Sequence, residues 1–282
     1  MKGWIAAGAA AAAAGAFAVR KGLRTMPEPF PAMPGGEVPR APIPTGLPEP
    51  VARYLEVVAG DTLPVTDSAV VTGRMSMRIA GPAMPGRFRF GHVVGEGYRH
   101  YMQIMPFGRA FATGQEWYLD GHARLDLPVG LVENEPRVDR AANLSMWAEY
   151  VWLPSGLVDP RVTWEAMDAV SARLVVPEKG GPDSLVAYFD PETGLIDRME
   201  AMRWRDAGDA EPLRWVTRNH AWTRIDGIGV PAMSSVQWAD QDQPWLKLSL
   251  DHVAWNVDPD LRGSGRVRGG GVRTWVRDPR MG

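Results

Sequence analysis

Trp117-Tyr118-Leu119-Asp120-Gly121-His122-Ala123-Arg124-Leu125 is the stretch whose reading sets the fold class. Two short apolar segments flank Asp-Gly, a pair that tolerates positive φ at both positions, and that combination specifies a two-residue β-hairpin. Toward the N terminus, residues 70–79, 87–94, 98–105 and 111–119 have the same short-strand character and are separated by glycine and proline. Toward the C terminus the rhythm returns at 162–167, 171–176, 184–189, 195–204, 213–225, 230–239 and 245–255. Turn residues join them, including Gly180-Gly181-Pro182, Asp190-Pro191-Glu192-Thr193-Gly194 and Asp226-Gly227. Consecutive strands so connected pair antiparallel.

Two helices interrupt the strands. Pro50 opens the first, Gly60 closes it, and Val51, Tyr54, Leu55 and Val58 share one face. The second is expected at 143–153, capped by Asn143, with Leu144, Trp147, Ala148, Val151 and Trp152 on one stripe until Pro154 and Gly156 end it. So many strands with so few helices must curl to bury an apolar face. The expected architecture is mainly β (α+β): a strongly curved antiparallel sheet or half-barrel wrapped around the central helix.

The 282 residues are 45% hydrophobic and 23% charged, enough for a sizeable core, and the net charge of −2 supplies no general attraction for nucleic acid. The absence of cysteine excludes disulfides, thiolate metal sites, cysteine nucleophiles and a lipid-modified cysteine. Residues 1–24 read as a signal or membrane-anchor segment: 3–19 is uncharged and rich in alanine and glycine, flanked by Lys2 and by Arg20, Lys21 and Arg24. As a helix it reaches roughly 25 Å, short of the roughly 30 Å hydrocarbon core. Ala16-Phe17-Ala18 fits a cleavage site, whereas the following basic residues oppose export, so a cleaved signal and a retained anchor on the cytoplasmic side both stand. Residues 25–46 read as a proline-rich tether, 47–258 as the folded body, and 259–282 as a disordered Gly/Arg-rich tail.

Signals for chemistry are sparse. The histidines at 92, 100, 122, 220 and 252 lack the His-x-His or His-x-x-x-His spacing that places two imidazoles on one metal, so no metal site is expected. There is no nucleophile elbow, phosphate loop or dinucleotide fingerprint, and nothing calls for a cofactor. The most suggestive polar residue is Glu149, embedded in Met146-Trp147-Ala148-Glu149-Tyr150-Val151-Trp152. A carboxylate there needs a partner, for which Arg203, Arg205 and Arg53 are candidates, or takes a raised pKa. The 12 tryptophans and the methionines at 75, 77, 102, 105, 199, 202 and 233 supply either core packing or the lining of an adaptable apolar cavity.

Leu47-Pro48-Glu49-Pro50-Val51-Ala52-Arg53-Tyr54-Leu55, Glu149-Tyr150-Val151-Trp152-Leu153-Pro154-Ser155 and the Asp190–Gly194 turn followed by Arg203 resemble a bacterial family of uncharacterised proteins over about 47–258. That resemblance brings no catalytic residue. The strand, Asp-Pro-x-Thr-Gly turn, strand rhythm is also similar to lipoprotein-carrier-like half-barrels, which implies a sheet and helices enclosing a lipid-sized cavity. The expectation is a membrane-targeted, noncatalytic protein that binds a lipid or other apolar molecule. Trp147, Trp152 and Trp164 would line the pocket, while Glu149 and Arg203 orient the ligand's polar end. Two alternatives stand beside it: an enzyme using Glu149 as acid or base on an apolar substrate, and a membrane-tethered scaffold or partner-binding domain.

Overall fold

The computed structural model describes residues 19, 21–23, 25–78, 81–128, 130–206 and 208–262. Most of the membrane-directed segment and, from 263 onward, the tail expected to be disordered over 259–282 lie outside the described residues; residues 259–262 instead pack on the body, with Leu261 buried and Arg99 donating to the Asp260 carbonyl. Among the described residues no helix is long and apolar enough to cross a membrane.

The N-terminal elements are β1 (Arg40–Pro42), α1 (Glu49–Ala59) and β2 (Thr62–Pro64). Pro50 sits in the first turn of α1, where its missing N–H costs nothing, and Gly60 ends the helix at φ 78°. The face formed by Val51, Tyr54, Leu55 and Val58 is buried, with the Tyr54 ring 6.1 Å from Phe189 and 6.0 Å from Trp222. Each of these side chains contributes roughly 1.5–3 kcal/mol of gross apolar burial.

One antiparallel meander follows, β3 (Ser68–Met77), β4 (Met84–Val93), β5 (Gly97–Ile104), β6 (Ala112–Leu119), β7 (His122–Leu127) and β8 (Gly130–Glu133). After helix α2 (Pro136–Ala148) comes a second: β9 (Thr163–Asp168), β10 (Ser171–Val176), β11 (Asp183–Phe189), β12 (Ile196–Arg203), β13 (Leu213–Ile225), β14 (Ile228–Trp238) and β15 (Leu246–Trp255). The two join where β15 pairs with β3, giving one 13-stranded sheet with β8 and β9 at its edges. The Asp120-Gly121 hairpin forms as the sequence specifies, with φ of 52° and 77° and Leu119 opposite His122.

Helix α2 touches β6 and β7 of the first meander and β11 and β12 of the second. In the strand order β6 and β12 are seven spacings apart, roughly 33 Å in a flat sheet. A helix about 10 Å across meets both only if the sheet curls around it. The half-barrel around a central helix is therefore the observed architecture.

Two boundaries differ from the sequence reading. α2 begins at Pro136, with Glu135 as its cap, rather than at Asn143, because its first two turns carry Arg137, Asp139 and Arg140 and turn inward only from Ala141. Asn143 instead works inside the helix, donating to the Pro177 carbonyl at 2.8 Å and accepting from Trp147 Nε1 at 3.1 Å. The proline-rich stretch, expected to hang as a tether, is laid against the body from Phe30 onward. Phe30 sits under the Arg87 guanidinium, the Met33 carbonyl meets His252, Gly36 N–H donates to Trp255 O, and β1 pairs with β2. An extended proline-rich chain needs external partners for its backbone, and the sheet supplies them.

Candidate functional site

Below the helix the inward face of the first meander carries ionisable groups. The β4–β5 hairpin pairs His92 with Tyr98 and Phe90 with His100, so the two histidines stand diagonally on one face. Its turn is fixed from outside: Gly95 N–H donates to Tyr150 Oη at 2.7 Å, while Arg161 donates to the Val94 and Gly95 carbonyls. An added Cβ at Gly95, where φ is 67°, would collide with that guanidinium. Tyr150 follows Glu149, the C-cap of α2, so the same contact that clamps the hairpin brings Glu149 over the histidines.

Glu149 Oε2 lies 2.9 Å from His100 Nε2 and 3.4 Å from His92 Nε2. The His100 ring stacks on Phe90 at 3.9 Å and Tyr98 at 4.1 Å between centroids. On its other side, His100 Nδ1 is 3.9 Å from Glu116 Oε2, and Glu116 also accepts the Tyr98 hydroxyl. His92 is fully buried and neither ring nitrogen makes a hydrogen bond among the described residues. Burial pushes both histidines down to about 4, which leaves the imidazoles neutral at neutral pH. Burial also raises Glu149 to about 7, with His92 and Arg203 pulling the other way. The Glu149 side chain nevertheless keeps 19% of its surface accessible, so space for water reaches it.

The expected site residues fall in three places. Arg203 reaches the cluster but donates to Ser145 Oγ and lies over Trp215 at 4.6 Å and Trp238 at 5.4 Å. Of the other proposed partners of Glu149, Arg53 holds the Pro191 and Glu192 carbonyls and Arg205 pairs with Asp240. Neither is the partner of Glu149 that the sequence offered; the carboxylate's neighbours are histidines. Trp152 packs in the core with Nε1 3.4 Å from Pro231 O, and Trp164 donates to Leu157 O at 2.7 Å beside Phe189. Trp147, buried and edge-on to Tyr150 at 5.0 Å, also borders open space.

That space is a cleft of about 760 Å³ at the mouth of the half-barrel, where the β4–β5 and β6–β7 turns, the β10–β11 loop, α2 and residues 258–262 converge. Val93, Tyr118, Leu119, Met146, Trp147 and Leu261 form its apolar surface. Around them stand Glu96, Asp120, Glu178, Asp258 and Asp260, against only Lys179 and Arg262. Among the described residues the buried Glu178 Oε2 has no hydrogen-bond partner. The Tyr118 ring, which borders the cleft, lies 6.0 Å from the Tyr98 ring of the histidine cluster.

His92 and His100 escaped the sequence reading because their proximity is produced by strand register, not by spacing along one element. The available signal was their near-symmetric placement about the Gly95-Glu96-Gly97 turn.

A curled antiparallel half-barrel with a polar cluster under its helix and a cleft at its mouth defines the class of molecule. The chain belongs to the family of unknown function DUF6544, whose profile matches residues 37–248. No curated protein matches the sequence. Among solved structures it is similar to a LolA superfamily protein from Nitrosomonas europaea at 10% identity, covering 75% of this chain and 94% of that one with a TM-score of 0.46. It is also similar to a putative outer membrane lipoprotein-sorting protein domain from Vibrio parahaemolyticus (11% identity, 74% and 90% covered, TM-score 0.40). A DUF1329 family protein from Desulfovibrio piger is similar to the same degree (12%, 74% and 92%, 0.41). Likeness at this level transfers no residue role.

Proposed function

We propose that the protein is a membrane-targeted, noncatalytic binder of a lipid-sized amphiphile held in the cleft at the mouth of the half-barrel. The observation that carries this reading is the cleft itself: about 760 Å³, with an apolar surface of Val93, Tyr118, Leu119, Met146, Trp147 and Leu261 inside a charged rim. That volume lies within the ordinary range for small-molecule sites. The excess of acidic groups on the rim favours a neutral, zwitterionic or cationic head over a free carboxylate. The membrane address rests on residues 3–19 and is supported by the β5–β6 loop, where Phe107 and Phe111 are exposed and the Phe107 ring packs on Gly22.

Nile red, a neutral apolar dye, tests the reading with the full chain. The dye should bind saturably and be displaced by lysophosphatidylcholine more effectively than by oleate. Leu119→Gln should weaken binding with little change in Tm, whereas Trp152→Ala should lower Tm strongly with a smaller effect on affinity. Dye binding that Leu119→Gln leaves unchanged would place the ligand elsewhere.

A second reading, acid–base catalysis by Glu149, is favoured by its raised pKa and the His100 contact at 2.9 Å. Glu149 is not part of the cleft lining, which puts binding first.

A further inference from the structure

We propose that His92, His100 and Glu149 form a binding site for a first-row divalent transition ion, with Zn²⁺ the best-matched, and with water completing its coordination. Two neutral imidazoles and one carboxylate are the donor set of many three-ligand zinc sites that keep a fourth position open. The three ligand atoms lie within 4.8 Å of one another, with Oε2 of Glu149 at 2.9 and 3.4 Å from the two Nε2 atoms. Ligands bound about 2.0–2.2 Å from one ion stand about 3–4 Å apart, so a small adjustment of Glu149 admits the ion.

A second observation points to a ligand independently of the spacing. Among the described residues the fully buried His92 ring makes no hydrogen bond at either nitrogen, and its Nε2 faces the carboxylate oxygen. Buried polar groups in folded proteins ordinarily have partners, and coordination would satisfy this one. The surroundings fit as well. Glu116 approaches Nδ1 of His100 and is held by the Tyr98 hydroxyl, the outer-sphere carboxylate–histidine arrangement that orients a metal-bound imidazole. Two carboxyl groups, Glu149 and Glu116, face the imidazoles, while the nearby Arg203 is turned toward Ser145 and two indoles. The accessible part of Glu149 gives water and the ion a route in. Nitrogen donors select against Mg²⁺ and Ca²⁺, which take oxygen ligands. The proposal is independent of what occupies the cleft.

The test uses the full chain stripped with a chelator. Titration with Zn²⁺ against a chromophoric competitor should show one saturable site per chain, and Co²⁺ should give visible d–d bands of a low-coordinate nitrogen–oxygen site. Zn²⁺ should raise Tm, and Mg²⁺ at the same concentration should not. His92→Gln and Glu149→Gln should each weaken Zn²⁺ binding at least about tenfold. His220→Gln, at an exposed histidine on another strand, should leave it unchanged. Circular dichroism establishes that the variants fold. Should His92→Gln fail to fold, the isosteric Glu149→Gln and the Co²⁺ spectrum decide. Absence of saturable Zn²⁺ binding, or binding undiminished in folded Glu149→Gln, overturns the proposal.

Discussion

The two meanders of the sheet obey the same antiparallel rules and both turn a face toward α2, yet they line the interior with different chemistry. Inward positions of β10–β12 carry Ala172, Leu174, Val176, Leu185, Ala187, Phe189, Ile196, Met199 and Ala201, all buried and apolar. The facing positions of β4–β6 hold the buried His92, Tyr98 and His100 and the half-buried Glu116, with Glu149 facing them from the end of α2. The second meander thus covers its side of α2 with apolar residues at these positions, and the first does not. Burying ionisable groups is costly, and their concentration in one meander is what motivates the ion site proposed there.

That contrast can be broken by substitution. The largest effect is expected in the apolar meander: Leu185→Ala, at a fully buried position, should cost about 3 kcal/mol and lower Tm by roughly 6–12 °C. Chemical denaturation checks it, and a loss below about 1 kcal/mol would mean the second meander is loosely packed. Next comes the clamp between the first helix and this meander. Arg53→Ala frees the Pro191 and Glu192 carbonyls and should cost about 1–2 kcal/mol.

In the polar meander the expectation reverses. His92→Leu removes a fully buried ring without hydrogen bonds, so in metal-free protein its stability should stay within about 1 kcal/mol of wild type or rise. A loss as large as that of Leu185→Ala would make His92 an ordinary core residue. The smallest effect concerns the strap on the β4–β5 turn. Hydrogen bonds from Arg161 hold the Asp159 carboxyl below its ordinary value of 3.8. Its contribution is thus complete above that value and is lost as pH falls through the depressed one. Asp159→Asn should flatten the acid limb of stability by at most about 1 kcal/mol.

Much of this architecture was legible in the sequence. Period-two segments between Gly, Pro and Asp-Gly turns are local signals, and the strands at 171–176 and 213–225 match those observed residue for residue. The curl was legible too, because so many strands with so few helices leave little else to cover the sheet, although the edge strand β8 was not read. The start of α2 was missed because its first turns are largely polar and only half-buried, so apolar periodicity is weak there until Ala141. For the polar cluster, the sequence singled out Glu149 from its apolar neighbours, which is a local property. Its partners come from strands β4 and β5, brought in by hairpin register and by Tyr150 and Arg161, and no spacing rule within one element encodes that. Arg203 was named as one of three candidate partners for Glu149; it reaches the cluster but bonds Ser145. Trp152 and Trp164 look alike to Trp147 in composition, and only the packed structure separates core tryptophans from the one that also borders the cleft.

Native mass spectrometry of the full chain, purified under mild conditions and followed by organic extraction, tests the central claim most directly. The account predicts one lipid-sized organic adduct per chain, with a neutral, zwitterionic or cationic head, retained by Trp152→Ala protein that remains folded and reduced in Leu119→Gln. A bare chain that also fails to take up added amphiphiles would contradict it.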